Sequence, residues 1–195
     1  MKQYLIHLIA VICLVASVPA YSSTITNNEI DRFLKSIPIT TDLLDKIKAK
    51  VKKHDGLAKK LSKAQLEGKY MREMVSELKA WPEYPELESL VRKSGFASTE
   101  EWSLVVDRVF GVVSSAHWVV LVASMPMPNS DTTPVLTRDS NLFEFLNDKN
   151  TDPKLRDKYA KQLDEMCQKM CYDQSDLPVV GARYNEIESV IKKKH

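Results

Sequence analysis

The sequence predicts an all-α protein: a single irregular helical bundle of six to eight helices around one central apolar helix. Three observations carry this expectation. The 195-residue chain holds only five glycines, and 28% of its residues are charged, a composition short of the turns that a β-sandwich needs. Apolar residues recur at spacings of three and four, and no stretch reads as a convincing strand. Two capping boxes mark helix starts: Thr26 with Glu29, and Ser98 with Glu101.

Residues 1–20 stand apart. They read MKQYLIHLIAVICLVASVPA: an early Lys2, an apolar run from Leu5 to Val15, then Val18-Pro19-Ala20. This is the pattern of a cleavable signal peptide, cut after Ala20. The apolar run falls short of the roughly 20 residues that span a bilayer as a helix. Cys13 follows the bulky Ile12 inside that run and is expected to leave with it. The expected address is periplasmic or secreted. The expected organisation is an N-terminal helical core over 21–124, a proline-rich linker over 125–138, and C-terminal helices over 139–195 packing on the same domain.

After the Thr26 box, Ile30, Phe33, Leu34 and Ile37 share a face, and Pro38 is expected to end this short helix. Thr40 or Thr41 opens the next, with Asp42 favourably placed in its first turn. Leu43, Leu44, Ile47 and Val51 form its apolar stripe, Lys46, Lys48, Lys50, Lys52 and Lys53 cover the rest, and Gly56 is the expected stop. Ser62 to Lys79 reads as a third helix, with Leu66, Tyr70, Met74, Val75 and Leu78 on one side. Pro82 and Pro85 break the pattern at an aromatic corner with Trp81 and Tyr84. A short helix follows from Glu86 to Ser94, closed by Gly95.

The central helix comes next. Trp102, Val105, Val106, Val109, Phe110, Val113, Ala116, Val120 and Leu121 recur at helical spacing. From Val109 to Ala123 the other faces are apolar or small as well. Asp107, Arg108, Ser114, Ser115 and His117 mark this as a buried core helix rather than a membrane span. Three prolines between Met125 and Pro134 favour extended backbone in the linker. Leu142, Phe143, Phe145 and Leu146 then make a short helix. Asp152 is an N-cap followed by Pro153 at the first helical position, and Leu155, Tyr159, Leu163, Met166 and Met170 carry that helix onward. Leu177 to Gly181 reads as a turn, and Tyr184, Ile187, Val190 and Ile191 as a final short helix.

Charge is uneven. Residues 26–79 hold thirteen Lys and Arg against eight Asp and Glu, a net of +5, and residues 80–195 carry a net of −4. The lysine-rich stretch Lys46–Lys63 could lie on an anionic membrane surface, but a solvated helix face accounts for it. Nucleic acid is not an expected partner at a secreted address and near-neutral charge. The expected partner is an unidentified protein or small ligand.

Candidate chemistry is sparse. HExxH, GxSxG, a Gly-rich phosphate loop and paired CxxC motifs are all missing from the sequence, no cofactor is expected, and no catalytic residue is assigned. Cys167 and Cys171, four apart, share a helix face, and an oxidising compartment permits a disulfide between them. On a regular helix their Cα atoms would lie about 6 Å apart, near the upper end of disulfide geometry, so the last turn must distort. Free or buried thiols remain open as an alternative. So does a Cu(I) site of soft ligands from Met166, Cys167, Met170 and Cys171. His117 on the central helix is the candidate for a residue lining a pocket between helices.

Ser94-Gly95-Phe96-Ala97-Ser98-Thr99-Glu100-Glu101-Trp102, with Asp107-Arg108-Val109 after it, resembles a pattern in small secreted helical proteins of Gram-negative bacteria, largely of unknown function. The resemblance implies an all-α fold and a periplasmic address, and no catalytic or binding residue. The functional expectation is a non-enzymatic binding or accessory role, with thiol or copper handling through Cys167 and Cys171 as the alternative.

Overall fold

A computed structural model describes residues 24–125, 135–171 and 173–193. The expected signal peptide and most of the expected linker lie outside the described residues. Among the described residues the protein is all α-helical. The helices are α1 (Asn27–Val51), α2 (Asp55–Leu66), α3 (Tyr70–Leu78), α4 (Tyr84–Lys93), α5 (Thr99–Ala123), α6 (Leu142–Asn147), α7 (Pro153–Met170), α8 (Leu177–Ala182) and α9 (Tyr184–Lys192), with a 3-10 turn at Gln174–Asp176. The expected bundle around a central apolar helix is present, and that helix is α5. It is long and apolar enough by composition to cross a membrane, but 67% of its most apolar stretch is buried against other helices.

Both predicted N-caps start helices, the first as a full capping box, while the Glu101 carboxylate of the second accepts the Ala97 amide instead of the Ser98 amide. Thr26 accepts the Glu29 amide while the Glu29 carboxylate accepts the Thr26 amide. Ser98 Oγ accepts the Glu101 amide at the start of α5. Asp152 and Pro153 open α7 as expected. Trp102 is fully buried, and its indole N–H donates to Ser36 Oγ across 3.0 Å, which fixes α5 against α1. Phe33 packs edge-on to Phe110 at the same crossing, with ring centroids 6.0 Å apart.

Four local expectations are corrected. Pro38 does not end a helix; it sits inside the continuous α1. Ile30, Phe33, Ser36, Thr40, Leu43, Ile47 and Val51 form one unbroken buried stripe, while Pro38 faces solvent. The hydroxyls of Ser36, Thr40 and Thr41 donate to the carbonyls of Phe33, Ser36 and Ile37 and supply bonds around the place where proline provides none. Gly56 is not a stop but lies in the first turn of α2. The single helix expected over Ser62–Lys79 is two, broken at Gly68, which takes a left-handed φ of 63°. Leu177–Gly181 is a short helix with proline in its first turn, not a turn.

Candidate functional site

Next to the α1–α5 crossing lies a cleft of about 470 Å³, partly open to solvent. Its size falls within the range of small-molecule sites. Ile37, Thr41, Leu44 and Lys48 of α1 line one side; Trp102, Val106, Phe110 and Ser114 of α5 line another. Each set is spaced by three or four, so each is one stripe of its helix. Tyr70, Met71 and Met74 of α3 add a third wall, and Met170 and Ile191 come from the C-terminal helices.

Asp107 holds this architecture together. Its side chain is almost fully buried and accepts three hydrogen bonds from one segment: Met71 N at 2.7 Å, Arg72 N at 3.1 Å and Arg72 Nε at 3.0 Å. The helix α3 has no N-cap side chain of its own. Asp107, 36 residues away, caps it instead, satisfying amides that the first turn leaves open. Burial pushes the Asp107 carboxyl above its ordinary range, against the pull of the Met71 and Arg72 donors. Burial likewise raises the Tyr70 phenol.

The cysteine pair adjoins the cleft. Cys167 and Cys171 stand at disulfide distance, with Cα atoms 4.7 Å apart. The expected distortion is present: Cys171 leaves the helix with φ −83° and ψ 147°, an extended conformation that brings it closer than a regular turn allows. Cys167 is fully buried, and Cys171 Sγ lies 3.6 Å from Ser115 Oγ. The end of α7 is seated against two glycines. A Cβ on Gly68 would stand 2.5 Å from the Met170 carbonyl oxygen, and one on Gly111 would stand 2.8 Å from it and 3.1 Å from Cys171 Cα. Only glycine lets that backbone approach so closely.

Of the residues proposed from sequence, the structure brings Met170 into the cleft wall and Cys171 beside it. Met166 packs against the core and is not a lining residue. Among the described residues no group of three or more His, Cys, Asp or Glu could hold a metal ion. His117 is exposed and lies outside this cleft. The cleft ends at Ser114, and α5 runs on past it to α9, where His117 Nε2 lies 3.3 Å from Glu188 Oε1 and the ring meets Tyr184 edge-on. Four of the eight lysines of the 46–63 stretch stand within ion-pair distance of a carboxylate, Lys48 only loosely, 3.6 Å from Asp45. Lys50 pairs with Glu83, Lys60 with Glu73 and Glu77, and Lys63 approaches Glu67.

Sequence reasoning missed the cleft because its walls read as ordinary core stripes. The departures that could have pointed to it are the polar members of those stripes, Thr41, Lys48 and Ser114, and the two glycines Gly68 and Gly111. No family model, no curated protein and no solved structure matches this chain.

Proposed function

We propose that this is a non-enzymatic, periplasmic or secreted binding protein that holds a small, mainly apolar ligand in the cleft between α1, α3 and α5. The observation that carries the reading is the lining. Apolar side chains dominate it, polar groups are few, and the buried Asp107 is already occupied by the Met71 and Arg72 donors. A site of this kind favours burial of apolar surface over chemistry. The signal-peptide pattern of residues 1–20 and the resemblance around Ser94–Val109 support the address.

In this reading Cys167 and Cys171 form a structural bridge that fixes the end of α7 against the Gly68 and Gly111 backbones. The alternative, thiol or copper handling, needs both sulfurs free; alkylation of both cysteines without prior reduction would favour it.

The test is fluorescence of N-phenyl-1-naphthylamine, which brightens in apolar surroundings, with the purified protein. Saturable brightening is expected, and Ser114→Phe and Thr41→Phe, which fill the cleft from opposite walls, should each abolish it while the thermal unfolding midpoint holds. A protein that leaves the probe dark, or two folded variants that still brighten it, would overturn the reading.

A further inference from the structure

We propose that the ligand is a single-chain carboxylate amphiphile, its alkyl tail lying along the cleft and its carboxylate on Lys48; this rests on the reading of the cleft as a ligand site. The α1 wall has a direction. Ile37, Thr41, Leu44 and Lys48 lie on one stripe of the helix, a run of about 16 Å at the helical rise. It is apolar for most of its length and ends in an ammonium group.

The charges on the lining are unequal in what they offer. Asp107 and Lys48 both border the cleft. The two carboxylate oxygens of Asp107 already accept from Met71 N, Arg72 N and Arg72 Nε. That carboxylate therefore presents nothing to a cationic ligand, and the Arg72 guanidinium balances its charge. Lys48 is different. Its side chain is 52% exposed, and the carboxylate recorded beside it, Asp45, lies 3.6 Å away, at the loose end of ion-pair distances. Its ammonium keeps donors for an incoming anion.

A lysine in the last turn of a helix also complements the helix dipole. Lys50 meets that need on the same turn while pairing with Glu83, so the dipole alone does not place a second cation at the cleft edge. An apolar trough ending in one underused cation suits a tail with one negative head. A neutral chain would gain nothing from the ammonium, which would keep only water and its loose contact with Asp45. A cation would meet Lys48 as a like charge and find Asp107, the one carboxylate among the described residues of the lining, already occupied.

The experiment is calorimetric titration of the purified protein with dodecanoate and, separately, dodecan-1-ol, both below their aggregation limits. The protein should hold dodecanoate more tightly than the alcohol. Lys48→Met should weaken dodecanoate about fivefold, the size of one partly exposed ion pair, and leave the alcohol unchanged to within about twofold. Ser114→Phe should weaken both. Equal affinity for acid and alcohol, or a Lys48→Met protein that keeps the preference, overturns the proposal. If neither alkyl ligand binds while the naphthylamine probe does, the ligand class fails and the cleft stands as a site. If the probe fails as well, the binding function itself fails.

Discussion

Asp107 and Arg108 are consecutive residues of α5, and each makes a carboxylate–guanidinium pair, yet the two pairs belong to different regions. Asp107 faces the cleft and caps α3, and its partner Arg72 is a third exposed. Arg108 faces away and binds Asp176, the last residue of the 3-10 turn, with side chains 2% and 0% exposed. Asp176 also accepts the Ile25 amide at 2.7 Å, and Ser175 next to it accepts from Thr24 Oγ1. One pair thus orders a wall of the site; the other ties the start of α1, the middle of α5 and the C-terminal segment into one body. The same chemistry fits both places, but the solvent around it does not. A buried pair leaves an uncompensated charge when one member is removed, whereas a partly wetted one can recruit water.

The largest effect should therefore come from the latch. Arg108→Met leaves the Asp176 carboxylate buried without its guanidinium and should cost about 3–5 kcal/mol, read as a lowered midpoint in urea unfolding. Adding Asp176→Asn to that variant removes the stranded charge and should recover part of the loss. Equal stability of Arg108→Met and the parent would show that the latch is not the stronger of the two.

The cleft-side pair should yield less. Asp107→Asn replaces one acceptor oxygen with a donor amide, so at least one of the Met71 and Arg72 amides loses its partner. The expected cost is about 1–3 kcal/mol. Because Asp107 caps α3 in the cleft wall, this variant should also dim the naphthylamine signal at a temperature where it is still folded, a readout that Arg108→Met need not move.

What the sequence disclosed and what it hid follow the same division between near and far. Thr26–Glu29, Ser98–Glu101 and Asp152–Pro153 are local devices, and they start α1, α5 and α7 as read. Trp102 was legible as core because its stripe is long. Pro38 misled because its local signal is strong, while the buried stripe that overrides it runs from Ile30 to Val51 along α1. In the stretch read as one helix from Ser62 to Lys79, Leu66 was placed inward, but it is 76% exposed, and Leu61 and Ala64 are the buried positions of α2. Gly68 was the overlooked sign of the break. The Asp107 cap and the Arg108–Asp176 latch join residues 36 and 68 apart, separations at which no periodic pattern connects the partners. Cys167 and Cys171 were legible because their contact is local. Their seat on Gly68 and Gly111 was not, since it depends on where α7 lands.

The smallest effect extends the comparison to a second acid of α5. The Lys79 ammonium lowers the Glu100 carboxyl from 4.5 to about 2, helped by backbone and Ser98 donors and opposed by partial burial. The folded state therefore prefers ionised Glu100. Its contribution is present above pH 4.5 and is lost as pH falls toward 2. Asp107 has the opposite sign: burial raises it, so its ionised form is the disfavoured one, and its contribution is present at acidic pH and lost as pH rises through its raised value. Glu100 is exposed enough that the stabilisation is slight at any pH; the slope is the better readout. Glu100→Gln should flatten the fall in thermal midpoint between pH 4.5 and about 2 while scarcely changing it at neutrality. An unchanged acid slope would mean that the exposed pair with Lys79 is too well solvated to couple to folding, and would widen the gap between surface and buried charges on this helix.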